Sequence, residues 1–439
     1  MRVERESSFA SELLHSTTRG RLSLADHALT TELVMGALRW QSLLDSEISE
    51  SSSLPIAKLD LEVLTALRLA VYQLRWLDRI PSRAAIHESV ELVKCARKHS
   101  AAPFANAVLR KISDNLFRHN VSKSKIAGTT AEVISATASH PLWLVKRWVD
   151  SFGGETAAKI CEYDQSAPVA AIRFRHPDAE KELRAEGIEL GRGALLASAA
   201  RVGRGNVSRT DAFAEGIAVI QDEASQLVAA LVGRGQTILD CCAAPGGKTA
   251  AIMDHNLNAD ITAVELHPHR ARLLQKLLDT QPANAAQRKI RVVAADARDL
   301  PFAEKFERVL ADVPCSGTGT LARNPEIKWR LRPEDISDLQ ERQHAILQSA
   351  LNRVAQGGRL VYSTCSLERE ENEDVVERAL LGHSSFRVVD CNLELEHLAS
   401  AGELVWPDPV SLTRGPFLRT IPGVHPCDGF FAAIIERTG

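Results

Sequence analysis

Along the first 140 residues the apolar positions recur with helical spacing. Leu64, Leu67, Val71 and Leu74 step by three and four, with Arg68, Arg75 and Asp78 breaking the run, and Phe104, Val108 and Ile112 step by four. That period lays one apolar stripe along a helix. Breaks at Ser51-Ser52-Ser53-Leu54-Pro55 and Ile80-Pro81-Ser82 separate the helices, and Pro81 or Ser82 can open the next one. Nothing here alternates with the period of a strand, so residues 1–140 are expected to form an all-α domain. Between 141 and 215 the pattern changes. VAAIRF at 169–174 reads as a strand, the charged stretch 178–186 as a helix, and GRGALLASAARVGRGNVSR follows. A small α+β connecting subdomain is expected, and its Arg201, Arg204 and Arg209 could touch phosphates or simply face solvent.

From 216 to 439 short apolar runs alternate with amphipathic stretches. Strands are expected at 237–240, 261–265, 290–294, 308–312 and 359–363. Strands that alternate with helices imply an α/β, doubly wound parallel sheet, and such sheets bind ligands at the carboxyl ends of their strands. Asp240, Glu265, Asp296, Asp312 and Cys365 fall at or near those ends.

Composition adds limits. A chain of 439 residues is long enough for two or three domains. Its 45 % hydrophobic and 25 % charged residues are those of a globular protein. The 8 cysteines form no spaced C-x-x-C pairs, which argues against structural zinc, and no metal is expected. The opening MRVERESSFA has no apolar signal region and no run suits a membrane helix, so a cytoplasmic chain with free cysteines and no membrane partner is expected. The net charge of -3 decides nothing about partners. Locally, Arg79 to Lys125 holds ten Lys/Arg (Arg79, Arg83, Lys94, Arg97, Lys98, Arg110, Lys111, Arg118, Lys123, Lys125) against three acids. Such a face suits phosphates, although a solvated helix surface would look the same.

The chemistry-bearing motifs lie in the last half. The first strand runs into Asp240-Cys241-Cys242-Ala243-Ala244-Pro245-Gly246-Gly247-Lys248-Thr249. The glycines let a ligand approach the backbone. A P-loop would need glycine where Cys242 stands, and no G-x-G-x-x-G is present. A Gly-rich turn followed by Glu265 for ribose hydroxyls and Asp296 for an adenine amino group suits S-adenosyl-L-methionine better than a redox dinucleotide. Asp312-Val313-Pro314-Cys315-Ser316-Gly317-Thr318-Gly319 and Ser363-Thr364-Cys365-Ser366 then put two cysteines at the ends of neighbouring strands. C5 of a pyrimidine is a poor nucleophile. A thiolate that adds to C6 makes C5 electron-rich, an acid near N3 helps, and a base must later remove the C5 proton. Cys365, Asp312 and Cys315 fit those three tasks.

DCCAAPGGKT, DVPCSGTG and STCS together resemble the Nol1/Nop2/Sun family of RNA cytosine-C5 methyltransferases, with GIAVIQDEASQ at 216–226 similar to its opening motif and Asp428-Gly429-Phe430-Phe431 to its last strand. Upstream, LRWQ, ALRLAVYQLRWLDRIPSRAAIHESVELVK and FANAVLRKI resemble the NusB-type, RNA-binding domain of the bacterial RsmB branch. The resemblance implies a NusB-like domain at 1–140, the connecting subdomain at 141–215 and a Rossmann-like methyltransferase domain at 216–439. It implies S-adenosyl-L-methionine as cofactor, held by Cys242, Ala243, Ala244, Pro245, Gly246, Gly247, Lys248, Glu265, Asp296 and Asp312. It makes Cys365 the nucleophile and Cys315 the residue that releases product, with Asp312 and Lys248 beside them. The substrate it implies is one cytosine of 16S ribosomal RNA, and the chain is expected to act as a monomer. Rival readings are another RNA such as tRNA, a DNA cytosine methyltransferase attacking through Cys315, and a non-catalytic RNA-binding assembly factor.

Overall fold

In the computed structural model all residues are described except 7, 19–21, 120–127 and 280–288. The chain forms two compact units, Met1–Ala167 with Leu321–Leu331, and Pro168–Thr320 with Arg332–Gly439. Lys123 and Lys125 of the basic stretch lie outside the described residues.

The first unit is helical. Leu24–Arg39, Gln41–Ser51, Leu61–Trp76, Ser82–Cys95 and Ala102–His119 surround a core that includes Leu44, Ile48, Leu67, Val71 and Leu109. Trp76 stacks on Trp40 and on Tyr72, each with ring centroids 5.0 Å apart. The apolar spacing noted around Leu64 and Phe104 is that of two of these helices. The helical body does not stop at 140. Helices Leu142–Phe152 and Gly154–Asp164 join it, because Leu144, Val145 and Trp148 form a buried stripe at helical spacing. It also contains Leu321–Leu331 from the second half of the sequence. There the buried Lys328 ammonium donates to the Arg39 carbonyl at 2.9 Å, and the Trp329 indole to that of Leu38 at 2.6 Å.

The second unit holds two sheets. The smaller has strands β1 (Ala171–Phe174), β2 (Glu189–Arg192), β3 (Ala199–Arg204) and β4 (Ala218–Ile220), in the order β2-β3-β1-β4 and antiparallel throughout. Part of the glycine-rich run is thus strand. Residues 218–220, within the segment resembling a catalytic-domain opening, pair with β1.

Among the described residues the larger sheet has nine strands: β5 (Thr237–Asp240), β6 (Asp260–Glu265), β7 (Ile290–Ala294), β8 (Phe306–Asp312), β9 (Val354–Thr364), β10 (Phe386–Val389), β11 (Thr413–Arg414), β12 (Phe417–Arg419) and β13 (Phe431–Arg437). Its order is β11-β12-β13-β9-β8-β5-β6-β7, with β10 also on β13. Strands β5 to β9 pair in parallel, and β13 runs antiparallel to β9. From β5 the chain winds one way through β6 and β7, then crosses to β8 and β9. The order therefore reverses between β5 and β8, where open α/β sheets form their ligand crevice. The central strands are buried on both faces, as Ile238, Leu239, Val309, Leu310, Leu360 and Val361 show.

Candidate active site

Asp240 ends β5 and is 1 % exposed. It accepts from the Thr249 hydroxyl at 2.7 Å and from the Cys242 N–H at 3.3 Å, which folds the turn back onto the strand. Burial pushes its carboxyl up to about 6, against the lowering effect of the Thr249 hydrogen bond. The turn then enters helix Gly247–His255 through Gly246, whose φ of 112° is a region closed to side-chain-bearing residues. A Cβ there would lie 2.6 Å from Leu277 Cδ2 and 2.8 Å from Leu274 Cδ1, so Gly246 answers a backbone demand. At Gly247 a Cβ would meet nothing nearer than Gln221 Nε2 at 3.7 Å, so the space in front of it is open.

A cleft of about 480 Å³ opens beside this turn, lined among others by Cys242, Glu265, Asp296, Arg298 and Arg342. That is within the span of roughly 300–1,000 Å³ usual for small-ligand sites. Glu265, at the end of β6, accepts from the His267 N–H at 2.9 Å. Asp296 lies just past β7, gripped by the Arg298 guanidinium at 2.6 Å, and that hydrogen bond holds its carboxyl below the usual carboxylate range. Two carboxylates at successive strand ends, an open glycine turn and apolar walls from Pro314 and Ile346 fit a nucleoside with hydroxyl and amino donors. Cys242 is pushed well up by burial, then by Cys241, Asp240, Asp312 and Glu265. Cys241 is 1 % exposed and packs in the core, a structural place.

The second half of the site sits on β8 and β9. Asp312 pairs in register with Ser363. Its Oδ1 accepts from the Ser363 hydroxyl and its Oδ2 from Lys248 Nζ, both at 2.7 Å. Burial opposes the Lys248 charge, but Asp312, their hydrogen bond, Cys365 and Asp240 outweigh it and raise the ammonium above its ordinary value. The Phe430 ring lies 4.8 Å from Nζ and closes that side. Cys315 and Cys365 follow these strands, and their sulfurs lie 3.2 Å apart in hydrogen-bond contact. The loops are fastened together, with the Gly319 N–H donating to the Cys365 carbonyl at 2.9 Å and the Gly429 N–H to the Gly319 carbonyl at 2.7 Å.

The match to the 16S rRNA methyltransferase RsmB/F family spans residues 230–436, and one to the NusB family spans 1–114. A probable ribosomal RNA small subunit methyltransferase B of Bacillus subtilis is 34 % identical, the alignment covering 100 % of this chain and 97 % of that one. The chain belongs to the RsmB/F family. The ribosomal RNA small subunit methyltransferase B of Pseudomonas putida, 32 % identical over 84 % of both chains, is another relative. Among solved structures, PH0851 overlays with a TM-score of 0.77 over 95 % of this chain and 92 % of its own, at 24 % identity. NSun6 from Pyrococcus horikoshii with SFG overlays with a TM-score of 0.56 over 68 % of this chain and 98 % of its own, at 19 % identity. Both likenesses show the shared fold.

Within this RsmB/F chain the structure pairs Lys248 with Asp312 and Cys315 with Cys365, with Lys248 interacting electrostatically with Cys365, and places Cys242, Glu265 and Asp296 around the cleft. Sequence reasoning missed Ser363, the arginines at the cleft, Arg298 and Arg342, and Glu371, whose carboxylate accepts from the Ser316 N–H and from Gln343 Nε2, both at 2.8 Å. Ser363 stands in the STCS stretch and Arg298 two residues past Asp296, but the motif reading assigns neither a role there, while Arg342, Gln343 and Glu371 come from elements outside the motifs. Arg201 is not available to phosphate. Its guanidinium donates to the buried Glu223 at 2.8 Å and to the Pro426 carbonyl, whereas Arg204 and Arg209 are exposed. Lys98 of the basic stretch pairs with Asp60 at 2.9 Å. No group of side chains suited to hold a metal ion occurs among the described residues, and no described helix is long and apolar enough to cross a membrane.

Proposed function

We propose that this chain transfers a methyl group from S-adenosyl-L-methionine to C5 of a cytosine in 16S ribosomal RNA, through a covalent bond between Cys365 and C6 of the base. The observation that carries this reading is the pair of sulfurs 3.2 Å apart beside the Lys248–Asp312 ion pair. The cofactor, held by Glu265, Asp296 and the Cys242–Lys248 turn, supplies the electrophilic methyl that C5 takes. The residues of the chain do the rest. Lys248 interacts electrostatically with Cys365, the attacking sulfur, whose reactive form is the thiolate. That thiolate forms the S–C6 bond, and the electrons of the C5–C6 double bond move toward C5. The Lys248–Asp312 pair holds a proton at N3 as they do. With Cys365 bonded to C6, its hydrogen bond and charge no longer hold the proton on Cys315, which releases it to solvent. The Cys315 thiolate then takes the C5 proton, the double bond re-forms, and the C6–S bond breaks to return Cys365 as thiolate. The base must leave its stack to reach the sulfur. The helical unit, with Arg97 and Arg110 on its basic stretch, is proposed to supply sequence-independent grip on phosphates.

The test is methyl transfer from labelled cofactor to 16S ribosomal RNA taken from cells that lack this enzyme, followed by bisulfite sequencing. One protected cytosine that appears only with enzyme and cofactor supports the reading. Label in DNA or tRNA alone, or none, sinks it.

A further inference from the structure

Glu371 lies in the charged run Glu368-Arg369-Glu370-Glu371-Asn372-Glu373, which reads as a solvated helix start. Its side chain is instead fully buried, 0 % exposed. A carboxylate taken from water is costly unless its oxygens are well occupied. Here Oε1 accepts from the Ser316 N–H and from Gln343 Nε2, both at 2.8 Å, and Oε2 accepts from the hydroxyls of Ser316 and Ser366. Ser316 follows Cys315 and Ser366 follows Cys365. One buried carboxylate therefore ties the loop after β8 to the loop after β9. Glu371 is itself fixed, since its carbonyl takes the Tyr362 hydroxyl at 2.6 Å and Asn372 donates to the Ser366 carbonyl at 2.9 Å.

We propose that Glu371 is a positioning residue for methyl transfer, holding the two sulfurs at reacting distance and making Cys315 the one that carries the proton. The proposal rests on the reading of the two cysteines given above. Two thiols in contact resist double ionisation, so a modest asymmetry of charge decides which of them ionises. The asymmetry is visible. Cys315 is pushed well up, first by its hydrogen bond to Cys365, then by burial, the Cys365 charge and the Glu371 carboxylate. Lys248 instead interacts with Cys365. Glu371→Gln removes the charge but keeps the frame, because the amide oxygen can still accept from Ser316 and Gln343 while its NH₂ donates to a hydroxyl. Glu371→Ala removes both.

Two measurements test this in the full chain. The first follows alkylation of Cys315 by iodoacetamide against pH, mapped by mass spectrometry, in a Cys365→Ser background. Adding Glu371→Gln should move the curve to lower pH by about one unit. The second compares steady-state kinetics. Glu371→Ala should lose at least about a hundredfold in kcat with KM for RNA little changed, and Gln should restore most of it. An unmoved alkylation curve, or an Ala variant with the kcat of wild type, overturns the proposal. If the unaltered chain methylates no RNA, the proposed function falls, while the alkylation curves need neither RNA nor cofactor and still decide what Glu371 does.

Discussion

Asp240→Asn should make the catalytic unit more stable at neutral pH, an unusual direction for a substitution beside an active site. Asp240 is buried, and its carboxyl rises from 3.8 to about 6 chiefly by loss of hydration. A folded-state value above the unfolded one means that the folded chain holds the proton more tightly. The contribution to stability is therefore whole below pH ~4 and is lost as the pH climbs through about 6. A gap of about two units corresponds to about 3 kcal/mol between those limits. Asparagine stays neutral throughout. It also preserves the local frame, accepting from the Cys242 N–H and donating to the Thr249 hydroxyl where the carboxylate accepted. Because the chain has two units, one global unfolding curve is not interpretable. Urea unfolding is best read by hydrogen exchange on peptides from 237–265. Wild type should lose stability in that region between pH 4 and 6, and the variant should lose about 3 kcal/mol less. Parallel pH profiles, or a variant less stable than wild type at pH 7, would refute the argument.

Gly246→Ala should destabilise the catalytic unit by about 2–4 kcal/mol, from backbone strain and the crowding against Leu274. Gly247→Asp should leave the stability read by hydrogen exchange on peptides from 237–265 nearly unchanged while cofactor binding by calorimetry is lost, and unchanged affinity would remove the turn from the cofactor site. Charge reversal at Arg97 and Arg110 should weaken RNA binding and flatten its salt dependence by about 0.7 in log–log slope for each phosphate no longer neutralised. Lys98 is left out because Asp60 already neutralises it, and an unaltered slope would make this stretch a solvated surface.

Much of the site is legible in the sequence because its parts are local. Each strand end from Asp240 to Cys365 follows a short apolar run, and the parallel order carries those ends to one edge of the sheet. The helical half is legible from spacing alone around Leu64 and Phe104. What escapes depends on residues distant in sequence. Nothing in the sequence ties Leu321–Leu331 to helices some 280 residues earlier, where Lys328 meets Arg39. Arg201 looks free until the fold sets Glu223 beside it. Glu371 is hidden by its company, since a charged run usually marks solvent and only the packed loops reveal its burial. The helix at 142–152 is masked by the change in character at 141, which resembles a domain boundary although Leu144, Val145 and Trp148 share one face.

The central claim is the division of labour between the two cysteines, and a denaturing gel tests it most directly. Purified Cys315→Ala and Cys365→Ala are each incubated with 16S ribosomal RNA and cofactor, then denatured. Cys315→Ala should attack, methylate and stall, leaving a slow-migrating protein–RNA band. Cys365→Ala should leave none. A band from Cys365→Ala and none from Cys315→Ala would make Cys315 the nucleophile and contradict the account.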